Sequence, residues 1–209
     1  MVDCFALLQE PRRPWIDLDR LKAKFLAYTA QEHPDRVLAQ SEPERILATD
    51  RYTEINAAYN CLRNPKERLL HLLELELEAK PKDFDPKPKG SSDLFFQIGQ
   101  ECQNADELLA EGSGINAPLL KVRWFERALE RIDQLNALKQ SIEAKLEQII
   151  EELKPLNAMW DSAPPIGSPK RQGALALERL EELYRAVGYL ARWRERIQIR
   201  VVRLSLQAS

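Results

Sequence analysis

Glycine and histidine are both scarce in this chain of 209 residues, which has 7 glycines and 2 histidines. The sequence contains neither a glycine-rich loop of the kind that holds phosphates nor an HExxH zinc motif. A histidine-based active site would have to depend on His33 alone, with no second group of the kind that such sites need. We therefore predict no catalytic residues, no cofactor and no enzymatic activity.

Cysteine is also rare, because the chain has only Cys4, Cys61 and Cys102. Three is an odd number and no two of them form a CxxC pair, so a disulfide framework or a zinc site is not expected. Cys4 and Cys61 lie beside apolar stripes, which favours small core residues with reduced thiols. For His71 we expect a partly exposed helix position, without partner residues for a metal.

Long apolar runs are missing as well, and none reaches the length of a membrane span. The N-terminus has neither a basic-then-apolar signal nor a presequence rich in arginine and serine. The formal net charge is −2, with charges of both signs, so no global attraction to nucleic acid or to an anionic membrane is expected. We expect a cytoplasmic protein that binds neither nucleic acid nor membrane.

What the chain does contain is helical pattern and mixed charge. Charged residues make up 31 % of the sequence, which together with the scarcity of glycine predicts an all-α fold. Residues 80–91 contain three prolines and several lysines, a composition typical of a linker. The sequence therefore predicts a domain over 1–79, a linker over 80–91 and a second domain over 92–209.

Two amphipathic helices flank the tripeptide His33-Pro34-Asp35 near the N-terminus. Pro34 cannot continue a helix, so the first helix is expected to stop near Glu32 and the tripeptide to lie at the tip of a hairpin. Ser41 and Glu44 form a capping-box pattern at the start of the second helix. Asn64 and Pro65 predict the start of a further helix, with asparagine at the cap and proline at the first position. The apolar stripes are Leu18, Leu21, Phe25 and Tyr28 on the first helix and Ala48, Tyr52, Ile55, Tyr59 and Leu62 on the second.

This arrangement resembles a J domain, the module that stimulates the ATPase of DnaK-type chaperones. The resemblance includes the tripeptide, the residues 5–8 and the run 54–73, which is most similar to the HscB (Jac-type) co-chaperones of iron–sulfur cluster assembly. It implies a DnaK- or HscA-type ATPase as partner in a bacterial cytoplasm, with the Asp35 carboxylate engaging an arginine of that ATPase. The residues implied in ATPase binding are His33, Pro34, Asp35, Arg36, Arg20, Lys24 and Gln31.

The second domain is expected to be an elongated three-helix bundle. Its predicted helices run over 92–111, from about 116 to 154, and from Ser168-Pro169 to the C-terminal region, with Pro155 ending or kinking the second. Phe125 is among the residues that we expect in its core. The family resemblance extends to the element order of this bundle.

The HscB resemblance also implies a client surface for an IscU-like iron–sulfur scaffold protein. Because adjacent helix residues point about 100° apart, Phe95 and Phe96 cannot both be buried in one narrow seam, so one of them is expected to be exposed. Exposed apolar clusters tend to be binding sites. The predicted client-binding residues are Leu94, Phe95, Ile98 and Tyr189.

Two alternatives stay open on the sequence alone. The first is a J-domain protein whose bundle serves another client. The second is a structural helical adaptor whose J domain no longer stimulates any ATPase. Ala30 and Glu32 stand where related J domains tend to carry a basic and an aromatic residue, so the charged face is thinner than usual.

Overall fold

The computed structural model describes residues 2–31, 41–79, 92–115 and 117–208. These residues form eight α-helices and no strand, which confirms the predicted all-α class. None of these helices is long and apolar enough to cross a membrane. The helices are α1 (Cys4–Leu7), α2 (Leu18–Gln31), α3 (Glu42–Arg63), α4 (Pro65–Leu77), α5 (Ser92–Gly112), α6 (Pro118–Asp161), α7 (Arg171–Ala174) and α8 (Leu177–Gln207).

Capping residues fix where the N-terminal helices begin, as the sequence predicted. The Ser41 backbone N–H donates to the Glu44 carboxylate at 2.9 Å, so the capping box at the start of α3 is formed. At the start of α4, the Asn64 side-chain oxygen accepts from the backbone N–H groups of Lys66 and Glu67, and Pro65 occupies the first helical position.

Helix α6 does not end at Pro155, which was one of the two outcomes left open there, and the predicted start of the last long helix was wrong. Helix α6 runs through Pro155 to Asp161, because a proline removes only one backbone donor and the flanking turns continue the helix. The last long helix begins at Leu177 rather than at Ser168. In between, the chain makes the short helix α7 and then turns to an extended conformation at Leu175, which separates it from α8.

The described residues pack into two compact units. The first consists of Met1–Asp83 together with Ile150–Tyr184, and the second of Phe84–Ile149 together with Arg185–Ser209. In the first unit the Asn157 side chain joins the backbone of Trp15 by two hydrogen bonds of 3.0 Å, and the Lys154 ammonium lies 5.4 Å from the centre of the Trp15 ring. Residues 150–184 thus pack directly against the segment that joins α1 to α2.

The core of the second unit is formed by α5, the first part of α6 and the second part of α8. Phe125, which was expected in this core, is exposed, and its neighbour Trp124 is buried instead. The Trp124 indole N–H donates to the Leu108 carbonyl oxygen at 2.8 Å, so the larger ring is held inside by a hydrogen bond as well as by packing. The buried core residues are Phe95, Ile98, Cys102, Ala105, Leu108, Leu109, Trp124, Ala128, Leu135, Ile142, Leu190, Ile197 and Leu204.

Candidate chaperone-binding and client-binding surfaces

Helices α2 and α3 flank the predicted ATPase-binding residues in the sequence and pack against each other. The Phe25 and Tyr59 rings stack with their centres 4.1 Å apart and their planes 12° apart. Leu21 on α2 and Leu62 on α3 are fully buried, so the two helices share one apolar core. His33, Pro34, Asp35 and Arg36 follow the end of α2 and lie outside the described residues.

Two of the predicted basic contact residues, Arg20 and Lys24, are described on α2, and both face the buried carboxylate of Glu10. The Lys24 ammonium lies 2.6 Å from a Glu10 carboxylate oxygen and also donates to the Gln9 carbonyl oxygen at 2.6 Å. Arg20 is farther from Glu10, at 3.9 Å, and its side chain is 61 % exposed. The charge of Lys24 is therefore largely neutralised by Glu10, whereas the exposed side chain of Arg20 can contact a partner protein. Gln31 is the last residue of α2.

A buried arginine fixes α4 against the end of the hairpin. The Arg68 side chain donates to the Leu62 carbonyl oxygen at 2.6 Å and to the Pro14 carbonyl oxygen at 2.9 Å. Burial disfavours its charged form and lowers the pKa of Arg68 to about 10. The bond to Leu62 satisfies a carbonyl group in the last turn of α3, where carbonyl groups have no partner within the helix.

His71 differs most from its sequence expectation. It is buried rather than partly exposed, and it does have partner residues: its ring accepts a hydrogen bond from the backbone N–H of Cys4 at 3.0 Å. The side-chain ligand atoms of Cys4, Cys61 and His71 all lie within 4.8 Å of one another. A hydrogen bond from the Cys61 thiol lowers the pKa of Cys4 to about 5, and the nearby Cys4 sulfur raises the pKa of Cys61.

The predicted client-binding patch is mostly buried. Phe95 is 7 % exposed and Ile98 is fully buried, so their expected exposure was wrong; both point into the core of the second unit. Leu94 and Tyr189 are partly buried against the same core. The Tyr189 and Phe95 rings lie nearly perpendicular to each other with their centres 4.4 Å apart, which shows that α5 and α8 pack side by side here.

Phe96 is the exposed member of the phenylalanine pair, with 74 % of its surface accessible, as the argument from helix geometry required of one of them. Gly99 and Gln103 follow it at helical spacing on the same face of α5 and line an open groove between α5 and α8. The groove also carries Trp193 and charges of both signs. Those charged lining residues are Asp106, Glu107, Arg196 and Arg200.

Comparison with known proteins identifies the family. No family model matches the chain. The co-chaperone protein HscB of Proteus mirabilis (strain HI4320) is 36 % identical over 170 residues, which cover 73 % of this chain and 96 % of that protein. The chain belongs to the HscB co-chaperone family. The resemblance predicted from the sequence is thereby confirmed.

Solved HscB structures share the fold. The chaperone HscB from Vibrio cholerae superposes with a TM-score of 0.60 at 17 % identity, covering 95 % of this chain and 96 % of that one. The human co-chaperone protein HscB gives a TM-score of 0.54 at 18 % identity, covering 95 % of this chain and 84 % of that one. At these identities the likeness concerns the fold alone.

Sequence reasoning overlooked one functional candidate in the groove. Trp193 stacks near Phe95 with the ring centres 6.3 Å apart, and the Arg196 guanidinium lies 5.0 Å from its centre. The signal was present in the sequence, because Trp193 follows Tyr189 by four residues and so lies on the same helix face.

Proposed function

We propose that this HscB-family chain stimulates the ATPase of a DnaK- or HscA-type chaperone through His33-Pro34-Asp35. The observation that supports this proposal best is the position of the tripeptide, which directly follows α2 and precedes α3 in a chain of this family. In the proposed mechanism the Asp35 carboxylate accepts a charge-assisted hydrogen bond from an arginine of the ATPase. The chain supplies a contact and performs no hydrolysis itself.

In this proposal the charged residues of α2 affect the rate of association with the ATPase more than the affinity of the final complex. Arg20 is exposed, whereas Lys24 lies against Glu10, so fewer positive charges remain for an acidic partner than the sequence suggests. Charges at the rim of an interface mainly change the association rate and its dependence on salt. We therefore expect a modest salt dependence of the association rate.

For the second unit we propose delivery of an IscU-like iron–sulfur scaffold protein, which makes the chain a co-chaperone of iron–sulfur cluster assembly in the bacterial cytoplasm. Because Phe95 and Ile98 are buried, the proposed contact shifts to Phe96 and the adjoining groove, with Leu94 and Tyr189 at its margin. Burial of one large apolar side chain contributes about 1.5–3 kcal/mol. Phe96 is therefore the principal apolar anchor in this proposal.

A single-turnover ATPase assay tests the first part. Asp35→Asn should remove a charge-assisted hydrogen bond of about 1.5–3 kcal/mol, a roughly ten- to hundred-fold loss of stimulation. Asp50→Asn is a matched control, because it removes the same charge from an exposed position on α3. Undiminished stimulation by Asp35→Asn would refute this mechanism. Failure of the unaltered chain to stimulate would favour the structural adaptor.

A titration with an IscU-like scaffold tests the second part. Phe96→Ala should weaken binding by roughly ten-fold or more. Leu119→Ala should not, although Leu119 on α6 is equally exposed at 74 %. Both variants should keep the thermal melt of the unaltered protein. Equal affinities of the two variants would locate the client elsewhere, and a scaffold that does not bind at all would favour a J-domain protein with a different client.

A further inference from the structure

Two thiols and one imidazole come together in the first unit, although they belong to three different helices. Cys4 is the first residue of α1, Cys61 lies in the last turn of α3, and His71 lies in the middle of α4. Their sulfur and nitrogen ligand atoms are all within 4.8 Å of one another. None of the three belongs to the proposed contacts with the ATPase or with the client, so the cluster needs an explanation of its own.

The histidine is held in a form that can bind a metal. Its ring is buried and lies nearly parallel to the Phe5 ring, with the centres 5.9 Å apart. Its Nε2 atom accepts the backbone N–H of Cys4 at 3.0 Å, so this nitrogen carries a lone pair and the ring is neutral. Neutral imidazole is the form that coordinates metals, and the lone pair already faces the cysteine that would be its fellow ligand.

The two thiols have the accessibility that a metal site requires. Both Cys4 and Cys61 are half-buried, so an ion can reach them from solvent while their sulfur atoms remain close to the apolar core. The Cys61 sulfur also lies 3.8 Å from the Glu67 carbonyl oxygen. Cys102, in contrast, is buried in the second unit and is not part of the cluster.

We propose that Cys4, Cys61 and His71 bind one Zn²⁺ ion through two thiolates and one imidazole nitrogen, with the fourth position open to water. Two sulfur ligands and one nitrogen ligand match the preference of this borderline-soft cation. Two thiolates also cancel its charge, so the bound site is neutral and suits a half-buried position. Binding releases the proton that the Cys61 thiol carries, and zinc takes the place of the Cys4 N–H at the His71 nitrogen.

The distances require only a small rearrangement. Zinc bonds of about 2.3 Å to sulfur and about 2.0–2.1 Å to nitrogen place tetrahedral ligand atoms about 3.5–3.8 Å apart. Atoms that now lie within 4.8 Å therefore have to approach by about 1 Å, which rotation of the cysteine side chains can provide. The ion would link α1, α3 and α4, so it should stabilise the first unit against unfolding.

The experiment uses the full chain, reduced and stripped of metal with a chelator. It is titrated with Zn²⁺ against a metal-binding dye, and its melting temperature is recorded with and without zinc. We expect about one tightly bound ion per chain and a higher melting temperature. Cys4→Ser and Cys61→Ser should lose both effects. Cys102→Ala is the matched control, because it removes a thiol outside the cluster and should retain both.

A second measurement does not depend on the folding of any variant. Co²⁺ in place of Zn²⁺ should give the intense charge-transfer absorption of cobalt–thiolate bonds and the visible bands of a tetrahedral site. Absence of stoichiometric Zn²⁺ binding, a cobalt spectrum without thiolate bands, or binding that persists in the double variant Cys4→Ser, Cys61→Ser would overturn the proposal. Capture of Cu(I) but not of Zn²⁺ would overturn the assignment of the metal.

Discussion

Arg171 and Glu76 form a buried, two-pronged ion pair within the first unit. The Nε and Nη2 atoms of Arg171 each donate to a different Glu76 carboxylate oxygen at 2.8 Å. The Gln172 side chain donates to the Glu76 carbonyl oxygen at 2.7 Å, and the Nη1 atom of Arg171 donates to the Pro164 carbonyl oxygen at 2.7 Å. The hydrogen bonds that Arg171 donates to the Glu76 carboxylate stabilise the charged guanidinium and raise the pKa of Arg171. The pair therefore links the end of α4 to α7 across 95 residues of sequence.

Removing one partner of this pair should destabilise the first unit strongly. Arg171→Met leaves the Glu76 carboxylate buried without its counter-charge, which costs about 3–5 kcal/mol in the free energy of unfolding. Arg179→Met is the matched control, because Arg179 pairs with Glu152 and Glu182 at the surface and such pairs contribute about 0–1 kcal/mol. Urea unfolding followed by circular dichroism measures both changes.

A compensating double variant sharpens the result. Glu76→Leu combined with Arg171→Met removes both charges and should recover much of the loss, because apolar side chains of similar volume can replace a buried ion pair. Equal stability losses for Arg171→Met and Arg179→Met would show that the pair adds no more than a surface contact.

The proposed domain boundary near Ala79 gives a second prediction. A fragment of residues 1–79 contains the α2–α3 hairpin and α4, and should give a cooperative helical melt of its own. It lacks the contacts from 150–184, so its melting temperature should be lower than that of the first unit in the full chain. Circular dichroism of both proteins tests this. A disordered fragment would make residues 150–184 essential for folding, and an equal melting temperature would make their contacts energetically neutral.

Local sequence signals predicted the helix starts at Ser41 and Asn64 because each cap depends on residues only two or three positions apart. Such local signals could not predict which of Phe95 and Phe96 would be buried. Periodicity requires one of the two rings to be exposed, but the position of α8, which supplies Tyr189, decides which one. Trp124 rather than Phe125 is buried in the core, and its hydrogen bond to Leu108 on α5 is likewise a contact with a distant segment.

The contacts that sequence reasoning missed most clearly join distant segments. Nothing within a few residues of His71 indicates that Cys4 and Cys61 will face it, since the three lie on separate helices. A zinc site was not expected from the sequence because no CxxC spacing occurs, but that spacing is needed only when one loop supplies two ligands, and the proposed site takes its ligands from three helices. The sequence alone predicted function only through the family resemblance, which rests on local motifs such as His33-Pro34-Asp35.

The pKa of Cys4, lowered to about 5, gives a prediction about pH. An acid whose pKa lies well below neutrality is already ionised at pH 7, so the metal-free Cys4 should be alkylated by iodoacetamide at a rate that changes little between about pH 6 and pH 8. Burial raises the pKa of Cys102, so that thiol should react slowly over the same range. Mass spectrometry of quenched samples measures each rate.

Removing the Cys61 thiol, which donates the hydrogen bond, should make the alkylation rate of Cys4 depend on pH. Cys61→Ala takes away the thiol that stabilises the Cys4 thiolate, so the alkylation rate of Cys4 should fall at pH 7 and rise with pH toward the ordinary thiol range near 9. Cys61→Ser keeps an O–H donor and should retain part of the effect. A Cys4 rate that rises steadily with pH in the unaltered protein would contradict the hydrogen-bond explanation.

Two glycines on α5 allow the close packing of this helix against Trp124 to be tested. A Cβ atom on Gly112 would lie 2.5 Å from the Trp124 ring and 2.6 Å from the Gln207 amide nitrogen, whereas one on Gly99 would meet nothing within 4 Å. Trp124 cannot move away easily, because it is buried and its N–H is bonded to the Leu108 carbonyl oxygen.

Gly112→Ala should therefore lower the free energy of unfolding by about 1–3 kcal/mol through overpacking. Gly99→Ala should raise it by about 0.5–1 kcal/mol, since alanine in a helix interior loses less backbone entropy on folding than glycine. Opposite shifts of the thermal melt would establish that the close approach of α5 to Trp124 requires glycine at position 112. Stabilisation by both substitutions would show that the tryptophan ring has room to yield.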